Sequence, residues 1–231
     1  MLERLTSKEI QASTVDELLS LPKQLLGYKQ VLTYTGSMPL EDLTELLQQH
    51  YAIESELKDT PAYRFRTARN IEETEIYVVD QKTAQAQVRI EFADGIYTEN
   101  DSLMSSLYTS YFGSGMSSVV FQELREARAL AYSASAHYVQ GGRLNEQNMF
   151  LGTIGTQTDK TIDALSAFIK LIENMPVSTE RFNNSIESFL NRYRTSKVNF
   201  REVISTVRNW EKLGIEEDPR KERYQQLQTT T

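Results

Sequence analysis

The sequence has two histidines, the residue type in it that is best suited to bind a metal ion, and they lie far apart in the chain. His50 is followed by Glu54 at the i,i+4 spacing that puts two side chains on one helix face, which is a weak metal pair. The alternative, a histidine at an exposed helix end, is favoured because no second histidine is near. His137 lies in a predicted strand, where an ordinary sheet-surface side chain is favoured over a ligand. Since the chain has no cysteine, we predict that it holds no metal site.

Arg125 and Tyr132 are the other residues whose side chains suit chemistry, as strong hydrogen-bond donors seven positions apart. From spacing alone, Arg125 is interpreted as a solvated helix charge and Tyr132 as a core aromatic. Arg128, a nearby arginine, is interpreted as a surface residue. Any more specific role for the pair depends on the elements that position them.

Those elements are predicted to be a glycine-broken loop, a short helix and a strand. Gly113 and Gly115 permit positive φ between two helices, and Ser117 or Ser118 is suited to cap the second helix. The residues from 132 to 138 alternate in type, which predicts a strand. The apolar face of the helix is formed by Val120, Phe121 and Leu124.

The same stretch carries short motifs at fixed spacing. They are Phe112-Gly113, Gly115-Met116-Ser117-Ser118, Phe121-Gln122-Glu123, Arg125-Glu126 and Leu130-Ala131-Tyr132-Ser133. In these motifs and their spacing, the chain resembles the C-terminal-type domain of the inverzincin zinc metallopeptidases. This group includes the pitrilysin, insulin-degrading and mitochondrial-processing peptidases. Two positions depart from the family pattern, because Ser114 and Ala129 stand where glycine is common.

The resemblance implies a domain that lacks the zinc site of its family. The family's catalytic motif is His-x-x-Glu-His on a helix, and this sequence does not contain it. In many family members an arginine and a tyrosine at the positions of Arg125 and Tyr132 reach the active site of a zinc-bearing half. There they bind the substrate backbone and stabilise the tetrahedral intermediate, as preorganised donors do for an oxyanion. The resemblance therefore implies substrate and transition-state contacts for Arg125 and Tyr132, with zinc expected in the partner half.

Composition excludes several other classes of function. The net charge of −7 and the pI near 5.1 argue against a nucleic-acid partner, which requires a basic surface. The sequence has no run of eighteen apolar residues, so no membrane span is predicted. The absence of cysteine fixes no compartment, and for a bacterial protein the periplasm, the cell envelope and the cytoplasm all stay open.

The predicted fold class is α+β, with a mixed or antiparallel sheet of about five strands, helices packed on one face and further C-terminal helices. Strands are expected near 30–35, 74–80, 84–93, 131–140 and 147–155, and helices over 100–112, 158–175, from 178 onward and over 199–213. In the third strand Gln85, Gln87, Arg89 and Glu91 point outward. They suit the wall of a peptide chamber, and an ordinary half-solvated sheet face explains them equally well.

We expect residues 1–231 to form one α+β domain from a longer, multi-domain peptidase. The resemblance implies that the complete enzyme hydrolyses peptides in a chamber closed by two halves, and that this chain alone is inactive. Its expected partners are the zinc-bearing half, in the same chain or another, and the peptide substrate. The alternative is a non-catalytic assembly or peptide-binding protein with the same fold.

Overall fold

The computed structural model describes residues 6–51, 56–65, 67–69 and 71–230. The chain divides into two compact units. The N-terminal unit comprises Met1–Arg64 with Val198–Ser205, and the sheet unit comprises Phe65–Lys197 with Thr206–Thr231. That the two units form a single domain over residues 1–231 stays a prediction.

The N-terminal unit contains short helices that begin at local capping signals. Thr14 caps the second of them, because its hydroxyl accepts the Glu17 N–H while the Glu17 carboxylate accepts the Thr14 N–H at 2.7 Å. None of the three helices buries a residue. They are α1 (Ser7–Ala12), α2 (Val15–Leu25) and α3 (Leu40–His50).

The sheet unit is built on three antiparallel strands in the order β1-β3-β2. They are β1 (Ala86–Ile96), β2 (Ser133–Val139) and β3 (Gln147–Thr156). The prediction of about five strands was wrong, since residues 30–35 and 74–80 form none. Both segments have strand-forming residues but no neighbouring ladder, and a strand exists only where a second backbone satisfies its N–H and C=O groups.

The alternation predicted for β1 is confirmed from Ala86 to Glu91 but not beyond, since Phe92, expected to point inward, is 45% exposed. Val88 and Ile90 are half-buried against the core, while Gln87, Arg89 and Glu91 are exposed. Gln85 precedes β1 and is exposed as well. One face of β1 therefore packs inward and the other faces solvent.

Helical segments cover one face of this sheet, as the period of the sequence predicts. Phe112, Leu124 and Phe168 are fully buried and belong to one cluster with Phe150 and Ile154 of β3. The predicted helices over 100–112 and 158–175 are observed as α4 with a π-helical extension and as α5 after a short 3₁₀ turn. The segments are α4 (Asp101–Tyr108), the first π-helix (Thr109–Gly113), the second π-helix (Phe121–Glu126) and α5 (Thr161–Glu173).

The two C-terminal helices predicted from residue 178 and over 199–213 are observed as the first two helices of this part of the chain, and a third one, which the sequence did not predict, follows them. They are α6 (Thr179–Thr195), α7 (Val203–Lys212) and α8 (Arg220–Thr229). Ser178 caps α6 by accepting the Arg181 N–H at 3.3 Å. Within the sheet unit, Ile186 and Phe189 of α6 pack with Leu227 of α8 and with Leu103 and Leu107 of α4. Among the described residues, no helix is both long enough and apolar enough to cross a lipid bilayer.

Candidate functional site

The candidate site is the junction between the second π-helix and β2, where Arg125 and Tyr132 lie. The π-helix is anchored by Val119, Val120 and Leu124, which are fully buried. Ser118 caps the helical residues 119–120 that lead into it, as predicted, since its hydroxyl accepts the Phe121 N–H at 3.4 Å. At the other end the Ala127 N–H donates to the Gln122 carbonyl at 2.8 Å, the i→i+5 pattern of a π-helix.

The two glycines before this helix have different structural roles. Gly115 has φ of +89°, the left-handed conformation that the sequence predicts. Gly113 has no positive φ. It is required for close packing instead, because a Cβ there would lie 1.9 Å from the Ala136 carbonyl oxygen of β2. The loop therefore places the first π-helix directly against the sheet.

Arg125 lies on the exposed side of the π-helix. Its guanidinium carbon is 4.8 Å from the centroid of the Phe121 ring, and its Nε is 3.7 Å from the Glu126 carboxylate. The side chain is 47% exposed. Phe121 stands four positions before Arg125, a helical spacing that the sequence displays and that signals such a contact.

Arg128 has a similar environment but a different partner. Its Nη2 is 3.8 Å from Glu123 Oε2 and its side chain is 48% exposed. The two arginines thus match in exposure and differ in position, which makes Arg128 a natural control for Arg125.

Tyr132 is the residue immediately before β2, and it is 50% exposed. Its backbone N–H donates to the Gly155 carbonyl of β3 at 2.8 Å. Its hydroxyl oxygen accepts a hydrogen bond of 3.0 Å from Gln157 Nε2. The proton of the hydroxyl is left free to donate to another group. The expectation of a core aromatic therefore does not hold, because the ring is at the surface.

Gln157 is a residue of this site that sequence reasoning missed. It precedes the helical turn at Thr158–Lys160 and is 25 positions from Tyr132. No local pattern signals a contact over that separation. The pairing follows from β2 and β3 lying side by side in the sheet.

The exposed face of the sheet is a second polar surface of the same unit. Ser135 of β2 and Arg89 of β1 both lie opposite Thr153 of the central strand, and the Ser135 and Thr153 hydroxyls are 2.8 Å apart. In the next row, Glu91 and His137 both lie opposite Leu151. The Arg89 guanidinium also contacts the Glu91 carboxylate. This face offers donors and acceptors beside apolar area, as a peptide-contacting surface does.

Neither histidine is part of a metal cluster in the described ranges. His50 is exposed at the end of α3, and its predicted partner Glu54 lies outside the described residues. His137 is half-buried in β2. Among the described residues no group of three or more His, Cys, Asp or Glu side chains is placed to hold a metal ion.

Comparison with known families gives one match that covers most of this architecture. The family described as "Peptidase M16 inactive domain" matches residues 29–189. That span includes β1 to β3, the π-helical junction and α5. A search among curated proteins found no match.

Solved structures share the fold at low sequence identity. A peptidase M16 inactive domain from Pseudomonas fluorescens has a TM-score of 0.68 and 14% identity, over 97% of this chain and 54% of that one. A conserved protein from Enterococcus faecalis has a TM-score of 0.73 and 17% identity, over 98% and 53%. The periplasmic protease PqqL of Escherichia coli has a TM-score of 0.65 and 15% identity, over 99% and 26%. This chain therefore spans about half the length of the first two.

Proposed function

The chain belongs to the peptidase M16 inactive-domain family, and from this premise we propose that it is the non-zinc part of a two-half peptidase. In this proposal the complete enzyme hydrolyses peptides in a chamber between its halves. Zinc and the water-activating carboxylate belong to the partner half, and this chain supplies wall, substrate contacts and transition-state contacts. The observation that carries the proposal is the exposure of Arg125 and Tyr132 on a buried, well-anchored junction.

The chemistry assigned to Tyr132 is donation of a hydrogen bond. Because Gln157 Nε2 already donates to the hydroxyl oxygen, the phenol is held in one orientation and its own proton remains available. A carbonyl oxygen gains negative charge when water attacks a peptide bond, and a donor already in place lowers the free energy of that state.

Arg125 is suited to bind the substrate backbone. Phe121 and Glu126 contact the guanidinium, and its terminal amino groups have no hydrogen-bond acceptor in the described part of the chain. The planar fork of an arginine can bridge a carbonyl or carboxylate at two points. Stacking on Phe121 limits the orientations of the guanidinium before substrate arrives, which lowers the entropy lost on binding.

A second candidate function is peptide binding without catalysis. The sheet order leaves one edge of β1 and one edge of β2 without a strand neighbour among the described residues. An extended peptide can add to such an edge through backbone hydrogen bonds. In that case a zinc-bearing half is unnecessary, and binding does not depend on Arg125 or Tyr132.

The test is reconstitution of the peptidase from its halves or from the full-length protein. We expect the chain alone to retain no stoichiometric zinc after dialysis and to cleave no peptide. We expect peptide hydrolysis when a half carrying His-x-x-Glu-His is present. Arg125→Gln should then lower kcat/KM by about one to two decades, whereas Arg128→Gln should leave it unchanged.

The two functions give different results in this assay. Equal kinetics for Arg125→Gln and Arg128→Gln would remove Arg125 from the substrate contacts. Peptide binding by the isolated chain, with no hydrolysis in the presence of a folded zinc half, would favour the non-catalytic alternative.

A further inference from the structure

A pocket lies in the sheet unit, where the end of α6 meets the start of α8. The pocket there has a volume of about 400 Å³. Ligand pockets in proteins commonly span about 300–1,000 Å³, so this one has room for a small molecule or one side chain. Its lining is formed by Tyr193, Arg194, Asp218, Arg220, Lys221 and Tyr224.

The packing of the two helices explains why the pocket exists. Ile186 and Phe189 of α6 bury their side chains with Leu227 of α8, which aligns the helices. Beyond that apolar contact, polar side chains of both helices line the pocket. Tyr193 is half-buried at the boundary between the apolar cluster and the pocket.

Cations outnumber anions in this lining by three to one. Asp218 is already engaged, because Arg220 Nε donates to both of its oxygens at 2.8 and 2.9 Å. The hydrogen bond from Arg220 also holds the pKa of Asp218 below its ordinary value. Arg220 Nη2 donates to the same carboxylate, and a third N–H, from the Arg220 backbone, donates to it at 3.0 Å. Asp218 therefore neutralises Arg220 and leaves the charges of Arg194 and Lys221 uncompensated.

The orientation of the Arg194 side chain is fixed by one neighbour, and part of its guanidinium stays available for a ligand. Its Nε donates to the Tyr224 hydroxyl at 2.8 Å, and its guanidinium carbon is 5.6 Å from the Tyr224 ring centroid. Its two terminal amino groups and the Lys221 ammonium have no acceptor among the described residues. In a chain with a net charge of −7, two such cations at one pocket form a local positive site.

We propose that this pocket binds an oxyanion, a carboxylate or a phosphate, carried by a small ligand. The two free amino groups of Arg194 form a planar fork that matches two oxygens of such a group, and Lys221 adds a point charge beside them. The tyrosine rings of the lining give apolar contact to whatever carries the anion. All six residues follow residue 189, the last one matched by the family, and none of them belongs to the site at Arg125 and Tyr132, so the proposal does not rest on the proposed function.

Binding is measured by calorimetry and by the rise in thermal unfolding temperature of the full chain. The probes are inorganic phosphate and benzoate, with benzamide as an uncharged analogue of benzoate. We expect saturable binding of at least one of the two anions and none of benzamide. Arg194→Gln and Lys221→Gln should each weaken the affinity by about tenfold, the usual cost of losing a charged hydrogen-bond partner.

The matched control is Arg192→Gln, which removes one cation from the same helix. The Arg192 guanidinium lies 4.5 Å from the Phe189 ring and does not line the pocket. Lys221→Gln guards against misfolding, since Lys221 makes no side-chain hydrogen bond or ion pair among the described residues. If the anions raise the unfolding temperature by the same amount in all variants and without saturation, the effect is a general salt effect and the proposal is overturned. A loss of affinity in Arg192→Gln as large as that in Arg194→Gln would also overturn it.

Discussion

Gln157 Nε2 donates a hydrogen bond of 3.0 Å to the hydroxyl oxygen of Tyr132, and so joins the residue after β3 to the residue before β2. The bond uses the acceptor side of the phenol and leaves its proton free. It also restricts rotation of a side chain that is half exposed. The geometry therefore favours Tyr132 as a preorganised donor.

Tyr132→Phe tests that role in the complete peptidase. We expect kcat/KM to fall by about one to three decades, because the variant lacks the donor but keeps the ring. The free energy of unfolding should change by less than about 0.5 kcal/mol, since the hydroxyl is at the surface. Tyr77→Phe, which removes another exposed hydroxyl, is the control for kinetics. Unchanged kinetics in Tyr132→Phe would leave it an ordinary surface aromatic.

Ala129 is expected to store backbone strain at the same junction. Its φ is +49°, a left-handed conformation that costs a residue with a Cβ about 1–2 kcal/mol. Ala129→Gly should remove this cost, partly offset by the greater flexibility of glycine in the unfolded chain. We predict a net gain of about 0.5–1 kcal/mol, measured by urea unfolding.

Ala127→Gly is the matched control for that change, because Ala127 is also exposed and has an ordinary φ of −78°. Glycine at that position should destabilise the fold by about 0.5–1 kcal/mol. Loss of stability in both variants would contradict strain at Ala129.

Gly152 of β3 lies against the Phe168 ring of α5. A Cβ there would lie 2.6 Å from the ring of Phe168, which is fully buried. Gly152→Ala should destabilise the sheet unit by about 1–3 kcal/mol, as overpacking of a core does. Gly113→Ala should cost more, because the obstructing atom is a backbone oxygen that cannot rotate away. A Cβ added at Gly95 would have no atom within 4 Å, so Gly95→Ala should lower the stability little in the same unfolding assay.

Tyr138 is expected to make stability fall at alkaline pH. Burial, reinforced by the hydrogen bond that its hydroxyl donates to Asp94, raises the pKa of Tyr138 to about 12. An unfolded tyrosine has a pKa of about 10, so the native state holds this proton more tightly. The resulting stabilisation is complete below pH 10 and is lost as the pH rises towards 12.

The measurement is the unfolding midpoint between about pH 9 and 12, a window set by that raised pKa. Tyr138→Phe should show a shallower decline than the wild type. Asp94→Asn should fall between them, since it removes the charge next to the phenol. If the unfolding midpoints of the wild type and of Tyr138→Phe fall identically with rising pH, the raised pKa of Tyr138 does not contribute to stability.

The sequence by itself determined several of the helices, the inward face of the first half of β1 and the family. Thr14 with Glu17 and Ser178 with Arg181 are caps formed between residues three apart, so they can be read from a local pattern. The alternation along β1 is equally local. The family motifs around Arg125 and Tyr132 needed no structure to be recognised, and the family match bears them out.

Only the tertiary structure decided which strand-like segments pair and which side chains meet. Residues 30–35 and 74–80 have strand composition without a partner, since ladder hydrogen bonds depend on a second segment far along the chain. Gln157 reaches Tyr132, and Arg194 reaches Tyr224, across 25 and 30 positions that local periodicity does not relate. Helical bonds and caps close within a few residues and leave a mark in sequence. Contacts between elements depend on how those elements pack, and no short window of sequence records that.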